Sequence, residues 1–348
     1  MDHAFYLRGP AENRLVMRKE FSVYAHEAQT DENQTLAKPS NGSTSGSKPM
    51  LEAEYKLALR EQVLTTMAQE LCVQVVNSKL EKEKLDNRLL ARELDIARNI
   101  QQSLLPKTFP DLPGFGLSGF CLSARQVGGD FYDVLPLSNQ CVLLVVADVM
   151  GKGVPAALFA ATLRTLIRTT VDWTRRPSEL LGRINQQMFD ELSGVDMFIT
   201  AQLALVDLAN QRLVVANAGH CPLFMTNLEG ETISVSPEGM PLGIVPQMNF
   251  VDQVLRLENI HSVLLYTDGL TEARNPEGEW FGRERLLKWL GQPTNRLHSA
   301  SELSEGFLKE LDAFQCCAPI KDDQTFLILA AENGVEKTVF SEEIISAK

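Results

Sequence analysis

The sequence predicts an α+β fold, and three of its features carry that prediction. Apolar strand-like runs come in groups, amphipathic helices come in pairs between them, and a long stretch without glycine or proline precedes both. Residues 1–50 are polar and end in Lys38-Pro39-Ser40-Asn41-Gly42-Ser43-Thr44-Ser45-Gly46-Ser47. Such a segment buries too little apolar surface to offset its ordering entropy, which predicts a flexible arm with at most a short strand over Phe21–Tyr24.

Residues 51–107 form a predicted helical or coiled-coil linker. Leu57, Leu64, Met67, Leu71 and Val75 recur at helical steps, as do Leu90, Leu94, Ala97 and Leu104. The charged stretch Lys79–Arg88 places Lys79/Glu83 and Lys82/Asp86 at i,i+4. About fifteen helical turns exceed most single globular helices, which favours a homodimer through 51–105 over a helix packed on its own domain. Pro106 and Pro110 stop the helix.

Residues 108–348 read as one domain. Cys141–Ala147 is a buried strand, followed by helices over Pro155–Val171 and Pro177–Leu192, each with proline in its first turn. Strands are predicted over Phe198–Leu208, Arg212–Ala218, Phe250–Leu257 and Ser262–Thr267. Helices follow over Arg283–Leu290 and Ser301–Phe314, with a closing strand over Thr325–Ala330.

Composition excludes several function classes. Of the 348 residues, 44% are hydrophobic and 22% charged, which is ordinary globular usage. A formal net charge of -12 argues against nucleic acid or an anionic membrane as partner. The six cysteines form no C-x-x-C pair and read as free thiols in a reducing compartment. Met1-Asp2-His3 opens no basic stretch with an apolar core behind it, and the longest apolar run is too short to span a membrane. A cytoplasmic protein is the expectation.

The chemistry is carried by aspartates. They stand in Gly128-Gly129-Asp130-Phe131-Tyr132-Asp133, in Asp148-Val149-Met150-Gly151-Lys152-Gly153, in Thr267-Asp268-Gly269, and in Asp322-Asp323-Gln324-Thr325. Asp148 and Asp268 directly follow strongly apolar strands, where a carboxylate meets the core and needs a counter-charge. A single Asp-Gly is usually only a turn. Repetition at the ends of core strands points instead to a polycarboxylate site for a hard cation such as Mg²⁺ or Mn²⁺.

The ordered series GGDFYD, DVMGKG, Met197-Phe198-Ile199-Thr200, Asn217-Ala218-Gly219-His220-Cys221-Pro222, Gly239-Met240-Pro241-Leu242-Gly243, YTDGLTEA and DDQT, preceded by ARNIQQSLLP, is specific as a set. It resembles the SpoIIE/RsbU-like branch of the PPM (phosphatase 2C-like) metal-dependent serine/threonine protein phosphatases of bacteria. The resemblance covers roughly residues 95–331 and implies an αββα sandwich of two antiparallel sheets with divalent ions held at one edge. It implies that Asp148 bridges two ions, Mn²⁺ or Mg²⁺, that Asp130 and the Val149 carbonyl join it on one, and that Asp268 and Asp322 bind the other. Asp323 and Asp133 are secondary candidates. Attack of a metal-bridging hydroxide on phosphorus is the implied reaction. The implied substrate is phosphoserine or phosphothreonine on a regulatory protein, an anti-sigma-factor antagonist in a partner-switching pathway.

Two neighbouring residues leave alternatives open. Lys152 can contact substrate phosphate or be a solvated lysine at a helix start. His220 can relay a proton or organise its turn. Two rival functions are a nucleotide cyclase, since GGDF is similar to the GGDEF signature of diguanylate cyclases, and a catalytically silent binding module on a phosphatase fold. The first lacks an acidic residue where Phe131 stands. Retention of all the aspartate positions opposes the second.

Overall fold

The computed structural model describes residues 48–138 and 140–332. The predicted arm lies outside the described residues, except for Lys48–Met50, and so does the short strand at Phe21–Tyr24. Helix α1 runs unbroken over Lys48–Leu104, as the missing glycines and prolines of that stretch predict. The chain divides into two compact units, Met1–Lys82 and Glu83–Lys348, so the division falls inside α1. In the first unit, Leu57, Leu64, Met67 and Leu71 are 57–66% exposed. In the second, Leu94, Ala97, Gln101 and Leu104 are half-buried at steps of three and four, which is one face of the helix. Among the described residues, no helix is long and apolar enough to cross a membrane.

The second unit is an αββα sandwich. One sheet has the order β2-β3-β4-β5-β8, built from Phe131–Ser138, Cys141–Val149, Ile199–Asp207, Arg212–Ala218 and Gln253–Arg256. The other has the order β1-β10-β9-β6-β7, built from Phe115–Leu122, Gln324–Ala331, Ile260–Tyr266, Leu223–Asn227 and Thr232–Val235. All strand pairs are antiparallel.

Strand alternation explains why β3 is apolar up to Asp148. Val142, Leu144 and Val146 pack into the layer between the sheets, with Val263, Leu265, Leu327 and Leu329 opposite. Leu143, Val145 and Ala147 point the other way, against α2 (Val154–Thr170) and α3 (Pro177–Ser193). The outer face of the second sheet is covered by α5 (Gly282–Leu290) and α6 (Ala300–Gln315), with the single turn α4 (Asp268–Thr271) before them. Ser299 and Glu302 close a reciprocal capping box at the start of α6.

Sequence reading anticipated β3, β4, β5, β9 and β10 closely but missed β1, β2, β6 and β7. β1 carries Gly116 and Gly119, and a Cβ at Gly119 would stand 2.5 Å from the Tyr132 ring, so strand propensity yields there to packing. β2 holds a buried aspartate and Pro136, where the register to β3 shifts. The strand expected over Phe250–Leu257 shortens to Gln253–Arg256 at the sheet edge.

The α6 layer depends on Phe307, whose ring lies 5.1 Å from Trp289, 5.5 Å from Phe326 and 6.0 Å from Phe281, centroid to centroid. Truncation there opens a cavity in a closed aromatic cluster. Phe307→Ala is expected to destabilise this unit by about 3–5 kcal/mol in urea unfolding. A loss below about 1 kcal/mol contradicts this account of the layer.

Candidate metal centre

The candidate carboxylates arrive from four segments at the same edge of both sheets. Asp148 is the penultimate residue of β3, opposite Thr200 on β4. Asp130 immediately precedes β2, and Asp268 opens α4 directly after β9 and Thr267. Asp322 precedes β10.

Two backbone features make the approach possible. Gly151 and Gly153 have φ of 92° and 81°, a left-handed conformation that lets the MGKG loop turn sharply from β3 into α2. At Gly129 a Cβ would stand 2.6 Å from the Val149 carbonyl oxygen, and at Gly128 only 2.0 Å from Asp323 Oδ2. Side chains there would push the Asp130 turn away from β3.

Burial and mutual repulsion mark the cluster. Asp130 is 3% exposed, and its carboxyl is held well above the usual carboxylate range by burial and then by the charge of Asp148. Asp148 is raised by burial and by Asp268, while a side-chain hydrogen bond with Asp130 works in the opposite direction. Asp268 keeps contact with solvent; desolvation of its carboxyl, then Glu272 and Asp322, push it up as well. The Thr267 hydroxyl donates to Asp130 Oδ2 at 2.7 Å and fixes that carboxylate's orientation.

The two members of the DD pair take different roles. Asp323 is buried: its Oδ1 accepts from the Ala124 N–H at 2.8 Å, and its Oδ2 from the N–H of Gly129 at 2.8 Å and of Asp130 at 3.4 Å. It holds the GGD turn. Asp322 is half-exposed and paired with Lys152, Nζ to Oδ1 at 2.7 Å, while the same ammonium donates to the Lys321 carbonyl at 2.6 Å. Lys152 therefore touches a candidate ligand directly.

Asp133 stands elsewhere. It is 1% exposed, accepts two 2.7 Å hydrogen bonds from Arg168 and faces Arg164 Nε at 3.2 Å. A carboxylate committed to two guanidinium groups ties β2 to α2 and has no free lone pair directed at the other aspartates.

His220 is buried, with Nδ1 at 2.7 Å from Thr200 Oγ1 and Nε2 at 3.0 Å from the Tyr266 carbonyl. Burial pushes its pKa down to about 4. Cys221 stands near Asp268 and Asp148, its thiol pushed up to about 12 by burial and then by those charges.

Sequence reasoning missed Thr267, Arg164, Arg168 and the use of Gln101. The Gln101 amide donates to the Gly128 carbonyl at 2.7 Å and accepts from the Gly128 N–H at 3.1 Å. Arg164 and Arg168 did leave a signal: like charges at i,i+4 on an otherwise apolar helix repel, which an acid between them offsets.

Among the described residues, no group of three or more His, Cys, Asp or Glu side chains converges closely enough to grip one ion as it stands. The donor chemistry nevertheless fits a hard divalent cation. The available atoms are carboxylate oxygens with a backbone carbonyl beside them, and Asp130, Asp148 and Asp268 are each pushed up by burial and then by a neighbouring carboxylate.

Comparison with known proteins places the chain in a family. The family model described as Stage II sporulation protein E (SpoIIE) matches residues 138–332. Protein IcfG of Synechocystis sp. is 32% identical over 230 residues, covering 59% of this chain and 36% of IcfG. Phosphoserine phosphatase RsbU of Bacillus subtilis is 28% identical over 241 residues, covering 68% of this chain and 69% of RsbU. The chain thus spans little more than a third of IcfG and about two thirds of RsbU. Among solved structures, the SiaA-PP2C domain of Pseudomonas aeruginosa superposes with a TM-score of 0.61 at 26% identity, covering 71% of this chain and 98% of that domain. With more than half of its residues inside the family model, the chain belongs to the Stage II sporulation protein E (SpoIIE) family.

Proposed function

We propose that this chain is a protein phosphatase that hydrolyses phosphoserine or phosphothreonine on a regulatory protein, an anti-sigma-factor antagonist in a partner-switching pathway. The observation that carries the reading is the meeting of Asp130, Asp148, Asp268 and Asp322, from four segments, at one edge of the sandwich. Similarity to a phosphoserine phosphatase, RsbU, supports the substrate class.

In this reading Asp130, Asp148 and the Val149 carbonyl would hold one divalent cation, and Asp148, Asp268 and Asp322 would hold a second, Mn²⁺ or Mg²⁺. When bound, such ions neutralise charge on phosphoryl oxygens and lower the pKa of water. The chain's own groups prepare the site. Thr267 orients Asp130, and Asp323 fixes the turn that presents it. Lys152 has 31% of its side chain exposed; when it leaves Asp322, its ammonium can meet a phosphate oxygen. The acidic chain recognises its partner through shape and the partner's basic groups.

Asp148→Asn is expected to lower turnover of a phosphoserine protein on the order of a thousandfold or more. Asp130→Asn, Asp268→Asn and Asp322→Asn should lower it less and recover partly at high Mn²⁺. Wild-type rates for Asp148→Asn at low metal, or full activity of the native chain in chelator, overturn the metal reading.

Stability of the metal-free chain should follow the raised carboxyls. In the folded state Asp130, Asp148 and Asp268 keep protons at a pH where the unfolded chain has lost them. Their contribution is therefore fully present below their ordinary pKa of about 4 and is lost as pH rises through the raised values. In chelator, Asp148→Asn should melt above wild type at pH 7.5, and the difference should shrink at pH 5.5. A lower melting temperature for the variant at pH 7.5 contradicts the repulsion.

We also propose that α1 pairs with a second copy of the chain. Leu57, Leu64 and Leu71 recur every seven residues and are 60%, 66% and 61% exposed. Replacing Leu64 and Leu71 with Asp should halve the mass measured by light scattering. An unchanged mass rejects the pairing.

A further inference from the structure

The reaction proposed above leaves His220 without a part, yet its ring is bonded at both nitrogens. A carbonyl can only accept, so the 3.0 Å contact with Tyr266 O requires the proton on Nε2. Nδ1 is then the acceptor, and Thr200 Oγ1 donates to it at 2.7 Å. With a pKa near 4 the ring stays neutral at physiological pH, and neither nitrogen is free to carry a proton elsewhere.

The turn does not need this ring. Asn217 already closes it through the backbone: Oδ1 accepts from the His220 N–H at 2.7 Å, and Nδ2 donates to the His220 carbonyl at 3.0 Å. The ring's bonds reach outside the turn, to one strand of each sheet. Thr200 lies on β4, directly opposite Asp148 in the β3–β4 ladder, with its hydroxyl 3.5 Å from the Asp148 carbonyl. Tyr266 is the last residue of β9 in the other sheet, two positions before Asp268. The ring therefore spans the gap between β4, whose Thr200 is paired with Asp148 on β3, and β9, which leads into Asp268. A parallel tie runs alongside, from Thr267 to Asp130.

We propose that His220 and Thr200 form a strut of fixed length between the sheets that sets the separation of Asp148 from Asp268, and so act as positioning residues for cation binding. The proposal rests on the metal reading above and assigns His220 no direct contact with substrate or ion. An imidazole is rigid, and its two nitrogens bond a partner in each sheet. A change in the gap between β4 and β9 must break one of them.

The test is Mn²⁺ binding to the full chain by calorimetry at pH 7.5, together with melting in chelator. Thr200→Val keeps the shape and removes the hydroxyl; Thr200→Ser restores it; His220→Phe fills the ring's space without hydrogen bonds. Thr200→Val and His220→Phe should each weaken Mn²⁺ binding about tenfold or more, and Thr200→Ser should bind as wild type. The double variant Thr200→Val/His220→Phe should be no weaker than His220→Phe alone, because one bond is removed twice. Wild-type Mn²⁺ affinity in Thr200→Val, even with a lowered melting temperature, reduces the pair to a structural contact and overturns the strut. Additive losses in the double variant overturn it too. If His220→Phe fails to fold, the contrast between Thr200→Val and Thr200→Ser decides. A wild-type chain that binds no Mn²⁺ defeats the metal reading and the strut together, whereas normal binding in both wild type and Thr200→Val defeats the strut alone.

Discussion

Bringing several carboxylates into one partly desolvated cleft opposes their charge, and much of the sandwich edge is organised around tolerating that. Asp130 and Asp148 share a hydrogen bond, Thr267 donates a hydroxyl, and Lys152 places an ammonium on Asp322. None of these partners removes the repulsion completely: burial and then the charge of Asp148 still hold Asp130 well above its usual range. In a low-dielectric cleft such a cluster is costly, and like charges spread apart unless the surrounding backbone holds them. Here the backbone does so through strand register, close-approach glycines and the cap that Asp323 places on the GGD turn.

The same constraint explains which charged residues were diverted from the cleft. Asp133 follows Asp130 by only three residues, yet the β pleat turns it toward α2, where Arg164 and Arg168 meet it. Buried among apolar neighbours, it requires both guanidinium groups to be tolerated at all. The result is an ion pair that fixes α2 against β2.

Much of the fold was legible because its central strands are buried on both faces. The runs before Asp148 and Asp268 read as strands from apolarity alone, and Pro155 and Pro177 marked the helix starts. β1 and β2 were not legible, since glycines, Pro136 and a buried aspartate obscure their pattern, and their strand character comes from pairing with β10 and β3. At the site, the aspartates were visible as residues but their division of labour was not. Only the structure separates Asp322, open to solvent and Lys152, from Asp323, turned into the wall. Successive residues at a strand end face opposite ways, so adjacent carboxylates seldom serve one purpose. Likewise, Thr267 is an unremarked letter in a TDG triplet until its hydroxyl is seen on Asp130.

The position of β10 has a consequence for the order in which this unit can come into being. β10 lies between β1 and β9, and the segment just before it supplies both Asp322 and the cap on a turn 194 residues earlier. A ribosome that has emitted β2, β3 and their aspartates has therefore made only loose parts of the cleft. The first sheet can pair its neighbours locally, but the second stays split, with β1 waiting across most of the chain for its partner. Nascent fragments thus carry acidic strand ends whose neighbours are still unmade, and the cleft is incomplete until β10 is available to pair with β1 and β9.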